Sequence, residues 1–155
     1  MMNAGGGQQQ LQQLQQALEV IEGEIAELKA EVEGFREEQQ AIDEAIEAIG
    51  VLDTGSTIQV PLGGGAYVRA EVQDIDEIIV SLGGGYAAGQ PQDDAIDALE
   101  RKRDALDDRI EDVQEEISEL EDESEELEEQ LEGLQGQLQQ QQMQQLQQMQ
   151  EGEDE

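Results

Sequence analysis

Cysteine, histidine and tryptophan are all absent from this chain of 155 residues. Without cysteine there are no disulfides and no thiolate chemistry, and the redox compartment stays open. Without histidine the chain lacks the commonest general base and the commonest side-chain metal ligand. Aromatic residues make up only 2% of the sequence, too little bulk for an ordinary globular core of this length. Buried surface must therefore come from helical seams and from association with other chains.

Targeting and membrane signals are also missing from the sequence. Residues 1–7 contain no basic region followed by an apolar run, so they do not form a signal peptide. No stretch of ~18 apolar residues is present, so no segment is expected to span a membrane. We expect a cytoplasmic protein.

Charge is abundant but almost entirely of one sign. The chain has 40 acidic and 7 basic residues, a formal net charge of −33. Phosphate backbones and anionic lipids repel such a surface, which argues against nucleic-acid and membrane partners. The acids lie at outward helical positions, where like charges at i,i+4 destabilise a helix. Because the Debye length falls to ~3 Å at 1 M salt, our hypothesis is adaptation to a molar-salt cytoplasm.

Two runs of apolar residues at alternating three- and four-residue steps are the main feature that is present. The first comprises Leu11, Leu14, Leu18, Ile21, Ile25, Leu28, Val32, Phe35, Gln39, Ile42, Ile46 and Ile49; the second comprises Ile96, Leu99, Arg103, Leu106, Ile110, Val113, Ile117, Leu120, Ser124, Leu127, Leu131, Leu134 and Leu138. This repeat of about 3.5 residues is that of a coiled-coil seam. Each run therefore predicts a long helix that packs along one partner helix.

Between the two runs the apolar period changes to two, as in β-strands. Residues 60–67 (VPLGGGAY) are echoed by residues 80–87 (VSLGGGYA), which predicts two β-hairpins with glycine turns. Short strands with open edges are a liability unless they pair with another chain. We therefore expect an oligomerisation module, and its candidate residues are Ile58, Val60, Leu62, Val68, Val72, Ile78, Val80 and Leu82.

The order of these segments predicts an α+β fold: a long antiparallel two-helix coiled coil with two β-hairpins inserted between the helices. The expected segments are a flexible N-terminus (1–7), a first helix (8–49) capped by Gly50, the hairpin module (50–92), a second helix (93–149) with a Gln/Met-rich distal end, and an acidic tail (150–155). Pairing Ile49 with Ile96 sets Gln39 opposite Leu106, Arg103 opposite Ile42 and Ser124 opposite Ile21. Polar residues in a seam commonly fix its register.

The same register brings both termini together at the end farthest from the hairpins. Methionine is flexible and polarisable and suits surfaces that accept many partners. The residues leave two interpretations open: a surface that binds many partners, or the frayed amphipathic end of a low-complexity glutamine tail. The candidate binding residues at this tip are Met1, Met2, Leu11, Leu14, Leu138, Met143, Leu146 and Met149.

Three patterns in the sequence contain the residue types of a chemical site. Residues 83–88 match a dinucleotide-binding glycine pattern, but Pro91 follows too soon for a helix to open there, which favours a hairpin turn. Asp74, Asp76 and Glu77 lack the glycine-kinked loop of a calcium site, which favours a solvated loop between hairpins. Glutamate pairs lie on exposed helix faces without a pocket. We expect no catalytic residue, no metal site and no cofactor.

The order of helix, two tandem hairpins with V-x-L-G-G-G turns, and returning helix resembles the alpha subunit of archaeal prefoldins, here with the composition of a halophile. The resemblance covers residues 11–138, and the duplicated hairpin is its most specific feature. It implies an ATP-independent chaperone of two alpha and four beta subunits joined through β-barrels. It also implies that the coiled-coil tips hold unfolded polypeptides and pass them to a group II chaperonin. The alternative is a structural coiled-coil spacer or adaptor without affinity for unfolded chains.

Overall fold

The computed structural model describes the backbone of residues 3–153 and the side chains of residues 6–152. Two long helices, α1 (Asn3–Val51) and α2 (Gln92–Glu153), enclose four short strands in the sequence. The strands are β1 (Thr57–Gly63), β2 (Ala66–Glu71), β3 (Ile78–Gly83) and β4 (Tyr86–Gln90). The predicted α+β arrangement of two helices and two hairpins is confirmed. The chain divides into a terminal unit, Met1–Val32 with Asp112–Glu155, and a hairpin unit, Glu33–Glu111.

In the terminal unit the two helices run antiparallel along the predicted seam. Lys29 Nζ lies 3.6 Å from Glu121 Oε1, and a β-carbon placed on Gly7 would lie 3.0 Å from Leu138 Cδ2. The earlier residue of α1, Gly7, lies beside the later residue of α2, Leu138, so the two helices run in opposite directions. The apolar seam residues of this unit are buried or half-buried, and Ile21, Val32 and Ile117 are the most buried.

In the hairpin unit the seam contains polar residues whose hydrogen bonds are satisfied. Gln39 Nε2 donates to the Arg103 carbonyl at 3.1 Å and to Asp107 Oδ1 at 2.7 Å. The Arg103 guanidinium donates to Asp43 Oδ1 at 2.7 Å, and this hydrogen bond raises the pKa of Arg103 above its ordinary value. These side chains link the two helices at the positions where the expected register places them, beside the buried Ile42 and Leu106.

The helix ends differ from the predicted boundaries. At its N-terminus α1 begins at Asn3, so residues 3–7 are helical, and Gly7 packs closely against Leu138. At its C-terminus Gly50 lies inside the helix, so the predicted glycine cap was wrong. Carbonyls at this end accept hydrogen bonds from Gln92 Nε2 instead, at 2.7 Å from Ile49 O and 3.1 Å from Leu52 O.

Helix α2 starts after Pro91, whose carbonyl accepts a hydrogen bond from Ala95 N at 2.8 Å. Asp93 and Asp94 lie in the first turn, where negative charge is favourable at the positive end of the helix dipole. The helix continues through the glutamine-rich stretch to Glu153 and so includes most of the predicted acidic tail.

The hairpins form two separate two-stranded antiparallel sheets, β1–β2 and β3–β4. Their turns repeat: Gly64 and Gly65 have φ of 61° and 82°, and Gly84 and Gly85 have φ of 61° and 81°. A type I′ turn needs positive φ at both central residues, which glycine adopts without strain. Each hairpin also has one residue without a cross-strand partner just before the turn, Leu62 in the first hairpin and Leu82 in the second. The glycine runs are therefore turns, as the sequence predicts.

The equivalent valines of the two hairpins have different surroundings. Val80 is 4% exposed and packs against Ala95 and Ala98 near the start of α2. Lys102 Nζ also donates to the Ser81 carbonyl at 3.0 Å, which ties β3 to α2. Val60 of the first hairpin is 36% exposed. The second hairpin is therefore docked on α2, whereas the apolar face of the first remains open.

Candidate binding surfaces

The distal end of α2 presents an exposed apolar stripe within the terminal unit. Met143 is 71% exposed, Leu146 61% and Met149 74%. The antiparallel register pairs Leu138 with Gly7, so the described part of α1, which begins at Asn3, ends about one helical turn beyond that pair. Residues 143–149 therefore lie past the described α1 partner.

The other predicted tip residues have different positions. Leu11, Leu14 and Leu138 are half-buried in the seam, where they pack between the helices more than they face solvent. Met1 and Met2 lie outside the described residues. The structure thus divides the predicted tip residues into a supporting seam and an exposed stripe.

Grooves on the terminal unit change in chemistry along its length. One groove of about 380 Å³ is lined by Gln10, Gln13, Leu14, Gln130 and Leu134. The next, about 300 Å³, is lined by Gly6, Gly7, Gln10, Leu134, Gln137, Leu138 and Gln141. A third, about 420 Å³, is lined by Leu28, Leu120 and five glutamates, namely Glu24, Glu27, Glu116, Glu119 and Glu123. Surface near the tip is therefore uncharged amide and hydrocarbon, while the surface farther along the same unit is acidic.

The first hairpin carries the second candidate surface. Alternation along paired strands places Ile58, Val60 and Val68 on one face, since Ile58 pairs with Ala70 and Val60 with Val68. Ile58 is half-buried, whereas Val60, Leu62 and Val68 are exposed. Val72 lies just beyond β2, half-buried, and its backbone pairs with Ser56 and Gly55. This face is apolar, and its Val60 and Val68 are open to solvent among the described residues.

In the second hairpin the predicted residues separate into two groups. Ile78 and Val80 contribute to the small core with Ala95 and Ala98, while Leu82 is exposed. Four further apolar residues of the hairpin unit, outside the predicted set, are exposed: Val51, Tyr67, Ile79 and Tyr86. Period-two alternation places Ile79 on the face opposite Ile78 and Val80, and that signal was available in the sequence.

The acidic loop between the hairpins is closed by its own hydrogen bonds. Asp74 Oδ1 accepts from Asp76 N at 2.9 Å, and Thr54 Oγ1 accepts from Ile75 N at 3.1 Å. These hydrogen bonds order the segment as a turn between the hairpins. Among residues 3–153 no group of three or more His, Cys, Asp or Glu side chains is arranged to hold a metal ion. Over the same residues no helix combines the length and the apolar character that a membrane span requires.

Two long helices that pair antiparallel within each unit and enclose a pair of glycine-turn hairpins define a coiled-coil protein with an inserted β module. The chain belongs to the prefoldin family, because the family model for prefoldin subunits matches residues 21–137. It is 68% identical over 108 residues to a protein named prefoldin subunit alpha from Halorubrum lacusprofundi, a match that covers 70% of this chain and 71% of the relative. A prefoldin subunit alpha from Haloarcula marismortui is 57% identical over 103 residues, covering 66% of this chain and 67% of the relative.

A solved structure supports the same fold. The cryo-EM structure of a filamentous prefoldin from Methanocaldococcus jannaschii matches 76% of this chain and 93% of its own, with a TM-score of 0.50 and 24% identity. The resemblance to archaeal prefoldin alpha subunits is confirmed. The chain therefore belongs to a family of chaperone subunits. Every predicted tip residue lies outside the matched residues 21–137, so the tip must be argued from this chain's own residues.

Proposed function

We propose that this chain is the alpha-type subunit of an ATP-independent holding chaperone. Its coiled-coil tip holds unfolded polypeptides in the cytoplasm and keeps them from aggregating. The observation that carries the proposal is the exposed stripe of Met143, Leu146 and Met149 on a chain whose net charge is −33. Large exposed apolar side chains on a highly acidic protein favour a binding role. A surface that only had to stay soluble would have polar residues at these positions.

Assembly through the hairpins forms the second part of the proposal. The first hairpin has an open apolar face at Val60, Leu62 and Val68, and both hairpins are two-stranded sheets with free edges. Such edges readily pair with strands of another chain. We place these strands in an oligomeric β-barrel with beta-type subunits, two alpha and four beta in one complex. The filamentous relative is a precedent for assembly in this family.

Client holding in such a complex would be physical rather than chemical. Each tip offers a small apolar surface and binds weakly, but several tips on one complex engage a single unfolded chain together. Linked binding raises the effective concentration of the second tip and can strengthen overall binding by about 10²–10⁴. The acidic residues along the helices keep the loaded complex soluble. Transfer of the client to a group II chaperonin rests on the family resemblance alone.

The first test dilutes a chemically unfolded protein into molar KCl with and without the natively isolated complex, and follows light scattering. Suppressed aggregation without ATP is the expected result. Unchanged aggregation in the presence of an intact complex would contradict the holding function and favour the spacer or adaptor interpretation.

Truncation after Leu138 tests where the client binds. We expect the shortened complex to keep its assembly and to suppress aggregation less, because the exposed stripe is gone while the hairpins remain. A matched control that removes only residues 151–155 retains the stripe and should hold clients like the full chain. Dissociation of the Leu138-truncated complex, measured by size-exclusion chromatography, would contradict this division of roles.

A further inference from the structure

Sulfur-containing side chains occur only near the two ends of this sequence. The sequence contains no cysteine, tryptophan or histidine, and its four methionines are Met1, Met2, Met143 and Met149. Both coiled-coil seams use leucine, isoleucine, valine and a single phenylalanine at their apolar positions, and the hairpins contain no sulfur. A two-electron oxidant that reaches this protein therefore has one class of sulfur target, and all of it lies at the chain ends.

The two described methionines are open to solvent. Met143 is 71% exposed and Met149 74%, and they flank Leu146 in the stripe on α2. Exposure matters because susceptibility of a thioether to oxidation follows its access to the oxidant. With hydrogen peroxide, the sulfur lone pair attacks one oxygen, an S–O bond forms and the O–O bond breaks. The thioether is oxidised to a sulfoxide, the peroxide is reduced, and the second oxygen leaves as water after proton transfer.

Oxidation would change the character of the stripe. A sulfoxide is polar and a strong hydrogen-bond acceptor, so each modified side chain favours water over the apolar groups of a client. With both methionines modified, Leu146 is the only unmodified large apolar residue among positions 143–149, since the rest are glutamines. The seams and hairpins contain no site for this reaction, so the fold and the assembly surfaces remain as they were.

We propose that Met143 and Met149 form an oxidant-responsive modification site, at which sulfoxide formation releases clients without dissociating the complex. The inference rests on the proposed holding function and deepens it by adding regulation at the same surface. Reductases specific for each sulfur epimer reduce methionine sulfoxide back to the thioether and water, with electrons from a dithiol donor, so the binding surface is restored by enzymatic reduction.

The experiment uses the intact complex and a fluorescent unfolded client. The complex is treated with hydrogen peroxide, the peroxide is removed, sulfoxide at each methionine is quantified by peptide mass spectrometry, and the client Kd is measured. We expect the Kd to rise at least about tenfold once both residues are oxidised, corresponding to ~1.4 kcal/mol of lost binding. Size-exclusion chromatography should show an unchanged complex, and treatment with both reductases should restore the original Kd.

Two variants make the result specific. Met143→Leu/Met149→Leu keeps the stripe apolar and removes its sulfur, so peroxide should raise its Kd far less than it raises that of the wild type. Any change that remains measures the contribution of Met1 and Met2. Met143→Gln/Met149→Gln imitates the polar product and should bind clients weakly before any treatment. An equal loss of binding in the leucine variant, or undiminished binding by a complex oxidised at both sites, would overturn the proposal.

The untreated complex distinguishes this inference from the function on which it rests. If the untreated complex fails to bind the client, the holding function is wrong and the inference falls with it. If the untreated complex binds and the doubly oxidised complex binds equally, only the inference is overturned.

Discussion

Ile42 and Val20 show how the effect of one apolar side chain depends on its place on α1. Ile42 is 7% exposed in the seam, whereas Val20 is 61% exposed. Ile42→Ala removes buried methyl groups and leaves a cavity, so we expect it to lower the free energy of unfolding by about 2–5 kcal/mol. Val20→Ala should change it by no more than about 0.5 kcal/mol. Denaturant unfolding followed by circular dichroism measures both, and equal effects would contradict the seam assignment.

Arg103 allows a test by pH. Its hydrogen bond to Asp43 raises the pKa of Arg103, and a group with a raised pKa stabilises the fold at every pH below its unfolded-state value. That contribution is lost only as pH rises through the folded-state pKa, which for arginine is above the usual assay range. Wild-type stability from this ion pair should therefore stay constant under alkaline conditions.

Arg103→Lys should introduce a pH dependence at the same position. A lysine there loses its charge as pH rises above its ordinary pKa of ~10.4, so the stability contributed by the pair with Asp43 should decline in that range. Thermal unfolding at a series of alkaline pH values, compared between variant and wild type, isolates the effect from Lys29 and Lys102. If the thermal midpoints of the two proteins change with pH in the same way, the pair of residue 103 with Asp43 contributes nothing measurable to stability.

At the scale of elements, the two hairpins are near repeats in sequence but not in environment. Val60 and Val80 occupy the same position in VPLGGGAY and VSLGGGYA, yet Val80 is buried against α2 and Val60 is partly exposed. We expect Val80→Ala to loosen β3 and increase hydrogen exchange of its amides. Val60→Ala should leave exchange in the isolated chain nearly unchanged and weaken assembly instead. Equal exchange in both variants would contradict the docking of the second hairpin.

The sequence predicted the elements better than their contacts. A repeat of about 3.5 residues identifies every seam position of both helices, and all of these are buried or half-buried. The glycine runs also identified both turns. Docking of the second hairpin could not be predicted, because it depends on Ala95 and Ala98, small residues outside the seam that carry no periodic signal. The hydrogen bonds from Gln92 to the end of α1 were missed for a related reason, since the two carbonyl partners are 43 and 40 residues away in the sequence.

For the whole molecule, charge is the dominant property. Lys29 is the single basic residue in the terminal unit. Its contact with Glu121 is the ion pair found among the described residues of that unit. Repulsion among the remaining acids is screened as the Debye length falls from ~10 Å at 0.1 M salt to ~3 Å at 1 M. We therefore expect helicity and the thermal midpoint to rise as KCl increases over this range.

Sucrose provides the control for the salt experiment, because it favours buried surface by exclusion from the protein without screening charge. A midpoint that rises with KCl and much less with sucrose would support electrostatic screening. Full helicity and an unchanged midpoint in dilute buffer would contradict adaptation to high salt. Circular dichroism during heating measures both quantities in one experiment.

The tip shows where sequence reasoning stops at the scale of the whole molecule. The antiparallel register correctly brings Leu138 beside α1, and Met143, Leu146 and Met149 are exposed beyond the described part of that helix. Which of these side chains contacts a client depends on the conformation of the client itself, a property that this chain does not encode. The predicted binding residues therefore stay a prediction until the truncation and oxidation experiments are done.

The bond from Gln92 to the end of α1 has a consequence for how this fold can diverge. Its amide joins the two ends of the insert by reaching Ile49 O and Leu52 O, so the segment between them is a loop closed at its base. We expect the helices to keep their alignment at that junction when the closed loop changes in length. Hairpins can thus be gained, lost or exchanged as cassettes without re-phasing the coiled coil, and this junction is a natural boundary for building chimeric subunits.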